Sequence, residues 1–114
     1  MSLLTSYNAN YANIMQMRKV IVSRMVLDML AELRIYLAVE LKLSEEAAEK
    51  RTERIRTFLK SLGTPIDYPL CRFKRWNALG YRCAVFEKDW VFAYKIVPQG
   101  IIVRDMSHVK MLIK

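Results

Sequence analysis

Cationic and aromatic side chains recur together through the second half of the chain. Cations neutralise phosphates and aromatic faces stack on exposed bases, so this mixture is typical of a surface that binds nucleic acid or another anion. An imidazole titrates near neutrality and an arginine can stabilise charge that develops on phosphorus. If the protein cleaves RNA, the expected catalytic residues are Arg82, Arg104 and His108. The expected binding surface comprises Arg72, Lys74, Arg75, Arg82, Tyr94, Arg104, His108 and Lys110.

The same residues also have structural interpretations. A single histidine at the end of a strand is commonly a surface or structural residue. Phe73, Phe86, Phe92 and one of the two tryptophans are expected in the core rather than on a stacking platform. Alternation along a strand would place Arg72 and Lys74 on the face opposite Cys71 and Phe73.

Several other classes of site lack their residues. The chain has three glycines and neither of the glycine-rich nucleotide-binding patterns. One histidine and two separated cysteines do not make a zinc site, so we expect no metal and no small-molecule cofactor. Cys71 and Cys83 are not in a C-x-x-C pair, and we expect reduced thiols, with a disulfide between neighbouring strands as the alternative.

Charge and hydropathy suggest a single basic domain that lies in the cytoplasm. The chain has 114 residues and a net charge of +8, and residues 64–114 hold nine Lys and Arg against four acidic residues. This excess favours an anionic partner. No apolar run approaches the roughly 20 residues that span a bilayer, and no secretory pattern is present, so we expect no membrane association.

The elements that must position these residues form an α+β fold. Residues 1–16 are polar and rich in Asn, and we expect a flexible extension before a single domain over residues 17–114. A β-branched run at 18–23 predicts a first strand. Apolar spacing predicts one helix over 24–42 and a second that starts after Ser44 and ends near Leu62, before Gly63. The short connection makes these helices an antiparallel hairpin.

Four strands are predicted after the hairpin, at about 71–76, 81–86, 90–96 and 101–107. Glu87–Asp89 and Pro98–Gly100 have the composition of hairpin turns. The predicted order is therefore β-α-α-β-β-β-β, with the helices packed on one face of a mostly antiparallel four-strand meander.

This order of elements resembles the RelE/ParE superfamily of toxins from type II toxin–antitoxin modules. The resemblance rests on the first strand and helical hairpin, on the pair Tyr81–Phe86 and Trp90–Ile96, in which Tyr94 occupies a tyrosine position of the family, and on Ile101–His108 with its arginine and final histidine. It implies a cognate antitoxin that wraps the toxin. RelE-type members cleave messenger RNA on the ribosome, whereas ParE-type members poison DNA gyrase.

Three departures weaken an mRNA-cleaving interpretation, and the long helical hairpin with the run Trp90–Lys95 favours the ParE branch. Arg82 fills one basic position of the RelE type, but Ala84 and Val91 stand where further basic residues are expected, and the end of the chain is not rich in arginine. The expected function is therefore a growth-inhibiting toxin that binds gyrase. A RelE-like endoribonuclease is the alternative, and a non-toxic relative or a nucleic-acid-binding module is the third possibility.

Overall fold

The computed structural model describes residues 17–112, so the predicted flexible extension over 1–16 lies outside the described residues. The predicted α+β class is confirmed. The elements in chain order are β1 (Lys19–Val22), α1 (Arg24–Val39), α2 (Glu45–Ser61), a one-turn helix α3 (Lys74–Asn77), β2 (Arg82–Phe86), β3 (Trp90–Val97), β4 (Gly100–His108) and a 3₁₀ turn (Val109–Met111).

The four strands form one mixed sheet in the order β1-β4-β3-β2. β2, β3 and β4 are an antiparallel meander, and β1 lies parallel to β4 at the edge of the sheet. The chain between β1 and β2, which includes the hairpin α1–α2, joins two strands that run in the same direction, and a long crossover of this kind allows that connection. One face of the sheet is therefore covered by the two helices.

The strand predicted over residues 71–76 is wrong. Leu70 makes an isolated bridge to Arg82, after which the N–H groups of Trp76 and Asn77 donate to the Phe73 carbonyl at 3.0 and 2.7 Å and turn the chain into α3. The aromatic residues of this segment suggested a strand because they are apolar. In the fold, their apolar character serves a different purpose: Trp76 packs against the second face of the sheet, where it is 1% exposed.

Both long helices begin as predicted. The Ser23 hydroxyl accepts from the Val26 N–H at 3.3 Å, and the Ser44 hydroxyl accepts from the Ala47 N–H at 3.0 Å, so each serine is an N-cap. α1 ends at Val39, three residues before the predicted end. Gly63 follows α2 as predicted, but it allows a close approach of chains, since a Cβ there would lie 2.5 Å from the Arg18 carbonyl oxygen.

Two apolar clusters lie on opposite faces of the sheet. The larger cluster joins α1 and α2 to Phe92, Ile101, Val103 and neighbouring side chains of the sheet. The smaller cluster lies on the second face and joins Trp76 and the two cysteines to Val91 and Ala93. The second face is therefore partly covered by residues 70–81, not an open cationic surface.

Candidate functional site

The predicted site residues occupy three separate places, and Arg104 lies apart from all three. Three of them lie on the segment that covers the second face of the sheet, where all three are exposed: Arg72, Lys74 and Arg75, here called the α3 patch. The guanidinium carbon of Arg75 lies 4.8 Å from the centre of the Trp76 ring, in a cation–π contact. The Trp76 indole donates to Asp105 Oδ2 at 3.0 Å, which holds this patch against β4.

The second place is the start of β2, where Arg82 pairs with Tyr94 across the ladder. Tyr94 is 1% exposed, so it is a core residue and not part of an accessible surface. Its hydroxyl accepts from the Tyr68 N–H at 2.9 Å and donates to Asp67 Oδ1 at 3.2 Å. Burial raises the pKa of Tyr94 above its ordinary value of 10.0. Arg82 donates to the Tyr68 carbonyl at 2.7 Å.

Asp67 joins this place to the beginning of the domain. Arg18 Nη2 lies 2.6 Å from Asp67 Oδ1, and the same guanidinium donates to the carbonyls of Leu62 and Thr64. The hydrogen bond from Arg18 is the main reason why the pKa of Asp67 is lowered from 3.8. The network therefore fixes the loop 64–70 over the end of β3, which is a structural role.

The third place is the opposite end of the sheet, where His108 ends β4 beside Trp90. The His108 ring meets the Trp90 ring edge-to-face at 5.2 Å, and His108 Nδ1 accepts from the Lys110 N–H at 3.1 Å. A neutral ring with this hydrogen bond carries its proton on Nε2. His108 is the last residue of β4, and Lys110 lies in the 3₁₀ turn that follows it.

A cleft of about 170 Å³ adjoins His108, here called the His108 cleft. Its polar lining includes the side chains of Tyr36, Arg51 and Asp89, none of which the sequence patterns singled out as a site. An apolar groove of about 590 Å³ continues from it past Met29, Met106 and Met111. The spacing on α2 places Arg51 one turn before the buried Ile55, but no pattern in the sequence relates Arg51 to His108.

Arg104 is an exposed bulge residue in β4. Ala93 pairs with Asp105 while Tyr94 pairs with Val103, so Arg104 is the extra residue of that strand. Four residues separate it from His108, which is about 13 Å at the usual rise of a strand. Arg82 lies in the row of Tyr94, and the row of Trp90 and His108 is again about 13 Å away. The structure does not bring the three proposed catalytic residues together.

The positions that departed from the RelE pattern are in the interior. Ala84 is fully buried and Val91 is 2% exposed, on opposite faces of the sheet. A basic residue at either position would place a charge in an apolar cluster, and this is costly unless the charge is paired. The small and branched apolar residues at these two positions are therefore consistent with the packing of this chain.

The ion pairs leave the cations of the sheet half without acidic partners. Within residues 17–112, each ion pair takes its cation from the region before residue 57, for example Arg34 with Glu49 at 2.7 Å and Arg54 with Glu87. No described ion pair involves any of the predicted cations: Arg72, Lys74, Arg75, Arg82, Arg104 or Lys110. Their charge is available to an anionic partner.

The expectation of reduced cysteines is wrong for this structure, in which Cys71 and Cys83 form a disulfide with 4.9 Å between the Cα atoms. The N–H of Cys71 donates to the Tyr81 carbonyl and the N–H of Cys83 to the Pro69 carbonyl, at 2.9 and 3.2 Å. These bonds bring the two short segments side by side and place the sulfur atoms within reach. The alternative of a disulfide is confirmed, but it does not join two neighbouring strands, because Cys71 lies in the loop before α3.

Comparisons with protein-family models, curated proteins and solved structures found no match. Within the described part of the chain, no helix is both long and apolar enough to cross a membrane. The chemistry available to this molecule comes from its own residues. They offer a dispersed cationic surface, with a histidine in a small cleft at one end of the sheet.

Proposed function

We propose that this protein is the toxin of a type II toxin–antitoxin module, of the RelE/ParE type, and that it acts by binding an essential target rather than by cleaving RNA. Support comes from the order of elements, since a first strand enters a helical hairpin and three antiparallel strands follow. DNA gyrase is the target that the nearer ParE resemblance implies. A cognate antitoxin neutralises the toxin in this proposal.

The observation that carries the choice of binding over cleavage is the separation of the cationic and proton-transferring groups. His108 is about 13 Å along the strands from both Arg82 and Arg104. General acid–base catalysis needs its groups within hydrogen-bond reach of the reacting atoms, and charge stabilisation needs donors at the same centre. A surface that only binds has no such requirement, because dispersed unpaired cations attract an anionic partner from several directions.

The second candidate is the ribosome-dependent endoribonuclease, and the His108 cleft is the observation that favours it. Arg51 and Tyr36 line that cleft together with His108, so one cation, one hydroxyl and one imidazole share a small space. In this alternative, Arg51 takes the role that Arg82 and Arg104 are too distant to fill.

Induced expression in bacteria tests the proposal. We expect growth arrest with intact transcripts and with DNA damage, and we expect purified protein to inhibit supercoiling by gyrase. Arrest with cleaved transcripts would assign the endoribonuclease instead. Absence of arrest in a strain without the neighbouring gene would reject both toxins and leave a non-toxic relative or a nucleic-acid-binding module.

The antitoxin is tested separately. A neighbouring gene product should restore growth on co-expression, and its affinity should fall as salt rises because the sheet half holds the unpaired cations. An affinity that does not change between low and high salt would show that these cations do not take part in neutralisation.

A further inference from the structure

An apolar groove runs beside the edge strand β1, and none of its lining residues also lines the His108 cleft. Its walls come from β1, α1 and α2, and it encloses about 320 Å³. We call it the β1 groove, and its apolar walls are Val20, Val22, Leu27, Leu30, Ala31 and Leu59. Arg56 and Lys60 lie at the α2 wall, where the charge of Arg56 is paired with Glu49 and Glu53 at 3.0 and 2.9 Å.

The β1 groove is open among the described residues. Leu27 lies on its α1 wall and is 50% exposed, although the neighbouring Leu30 is 6% exposed. β1 is the end strand of the sheet, so one of its two hydrogen-bonding sides faces away from β4. Apolar surface beside a strand edge is a liability that proteins usually cover.

The entry of the chain into β1 fixes where the preceding residues begin. The Arg18 N–H donates to the Gly63 carbonyl at 2.7 Å, and the Arg18 side chain is held by Asp67. This anchor lies directly after α2 and two residues before Val20. Residues 1–16 therefore join the described domain a few residues before Val20, which lines the β1 groove.

The sequence of residues 1–16 suits that groove. The segment holds no charged side chain, so Arg56 and Lys60 do not need acidic partners in it and do not repel it. Leu4, Tyr7, Tyr11 and Ile14 recur at steps of three and four residues, with asparagines and hydroxyl residues between them. Sixteen residues span about 24 Å even at helical rise, which is also the length of α1.

We propose that residues 1–16 of this chain dock in the β1 groove through Leu4, Tyr7, Tyr11 and Ile14. This inference does not rest on the proposed toxin function. The segment buries the half-exposed Leu27 and covers the side of the domain next to the free edge of β1. A partner that adds a strand to β1 must then displace the chain's own N-terminal segment first.

A double-mutant cycle in the full chain tests the docking. Leu27→Asp changes the groove, and the paired substitution Tyr7→Asn with Tyr11→Asn changes the segment. We expect each to lower the Tm by about 5 °C, the shift that follows from losing the partial burial of one large apolar side chain in a domain of this size. Their combination should lower the Tm no further than either alone, because both remove the same contact.

Ile35→Asp is the matched control. Ile35 lies on the same helix, is 61% exposed and does not line the groove, so the same charge is introduced without touching the segment. We expect its effect on the Tm to be smaller than that of Leu27→Asp and to add fully to the effect of the tyrosine substitutions. Equal effects of Leu27→Asp and Ile35→Asp, with full additivity in both cycles, would overturn the proposal.

NMR of the unsubstituted chain gives a direct second measurement that needs no variant to fold. We expect nuclear Overhauser contacts from the rings of Tyr7 and Tyr11 to the methyl groups of Val20, Val22 and Leu27. Absence of these contacts would overturn the proposal. Contacts that arise only between differently labelled copies, with sedimentation as a dimer, would also overturn it, because the occupant would then be the segment of a second molecule.

Discussion

Replacing Tyr94 with Phe removes one hydroxyl from the interior and leaves the ring in place. The hydroxyl accepts from the Tyr68 N–H and donates to the Asp67 carboxylate, and the side chain is 1% exposed. Without it, a partly buried N–H loses its partner while Asp67 keeps its ion pair with Arg18. A lost neutral hydrogen bond costs about 1 kcal/mol, and one to a charged group costs about 1.5–3 kcal/mol.

We therefore expect Tyr94→Phe to lower the free energy of unfolding by about 2.5 kcal/mol, the lower end of that sum, because Arg18 still binds the carboxylate. Urea unfolding followed by tryptophan fluorescence measures this as a lower midpoint with an unchanged slope. Tyr81→Phe is the matched control, since no described hydrogen bond involves the Tyr81 hydroxyl, and its midpoint should move little.

The same variant separates a structural from a functional Tyr94. Growth arrest should persist for Tyr94→Phe at temperatures where the protein is folded, because the hydroxyl is turned inward to Asp67. A change in stability below about 0.5 kcal/mol, with loss of arrest, would refute this reasoning and return Tyr94 to the site.

Three further predictions concern the framework. The pKa of Asp67 is lowered in the folded state, so its contribution to stability is present above the unfolded-state pKa and is lost as pH falls through the folded-state pKa. Asp67→Asn should therefore weaken the loss of stability below about pH 4, as measured by unfolding curves at a series of pH values. Reduction of the Cys71–Cys83 disulfide should lower the free energy of unfolding by about 3 kcal/mol, from the closure entropy of a loop of this length, and a denaturation midpoint unaffected by dithiothreitol would contradict this. Gly100→Ala should lower the free energy of unfolding by more than about 2 kcal/mol, because the φ of Gly100 is +143° and a Cβ would lie 2.2 Å from the Lys19 carbonyl oxygen. Gly80 has a φ of +75° with open space around it, so Gly80→Ala should cost less when both variants are compared by thermal unfolding.

Much of the framework was predictable because its signals are local. Ser23 and Ser44 cap the two helices, and the apolar steps from Val26 to Leu37 are those of a helix with one buried face. The turn Glu87–Lys88 has positive φ at both residues, as the tight hairpins of twisted sheets require. These features depend on residues that are close together in the sequence, so sequence patterns predict them.

The strand predicted at 71–76 failed because the signal was tertiary. Phe73 and Trp76 look like strand residues, yet they pack on the second face of the sheet from a turn and a short helix. The disulfide was missed for a related reason: the expected compartment argued for thiols, whereas the pairing of Pro69–Cys71 with Tyr81–Cys83 places the sulfur atoms together.

The residue types of the candidate site could be read from the sequence, but the places that the fold gives to these residues could not. Alternation along β3 places Tyr94 on the same face as Phe92, which the helices cover, but alternation could not show the bulge at Arg104 that changes which residues of β4 share a face. Nor could it show that Arg51 on α2 reaches the cleft of His108. Residues that meet through the crossing of a helix and a sheet share no spacing in the sequence.

The most direct test of the account compares growth arrest by three forms of the protein on induction at equal soluble levels. We predict that His108→Ala still arrests growth, and that reversing charge on the α3 patch with Lys74→Glu and Arg75→Glu weakens or abolishes arrest. Lys50→Glu with Arg54→Glu, which makes the same change in net charge on α2, should leave arrest intact. Arrest lost with His108→Ala and kept with the α3 patch reversed would contradict a toxin that acts by binding.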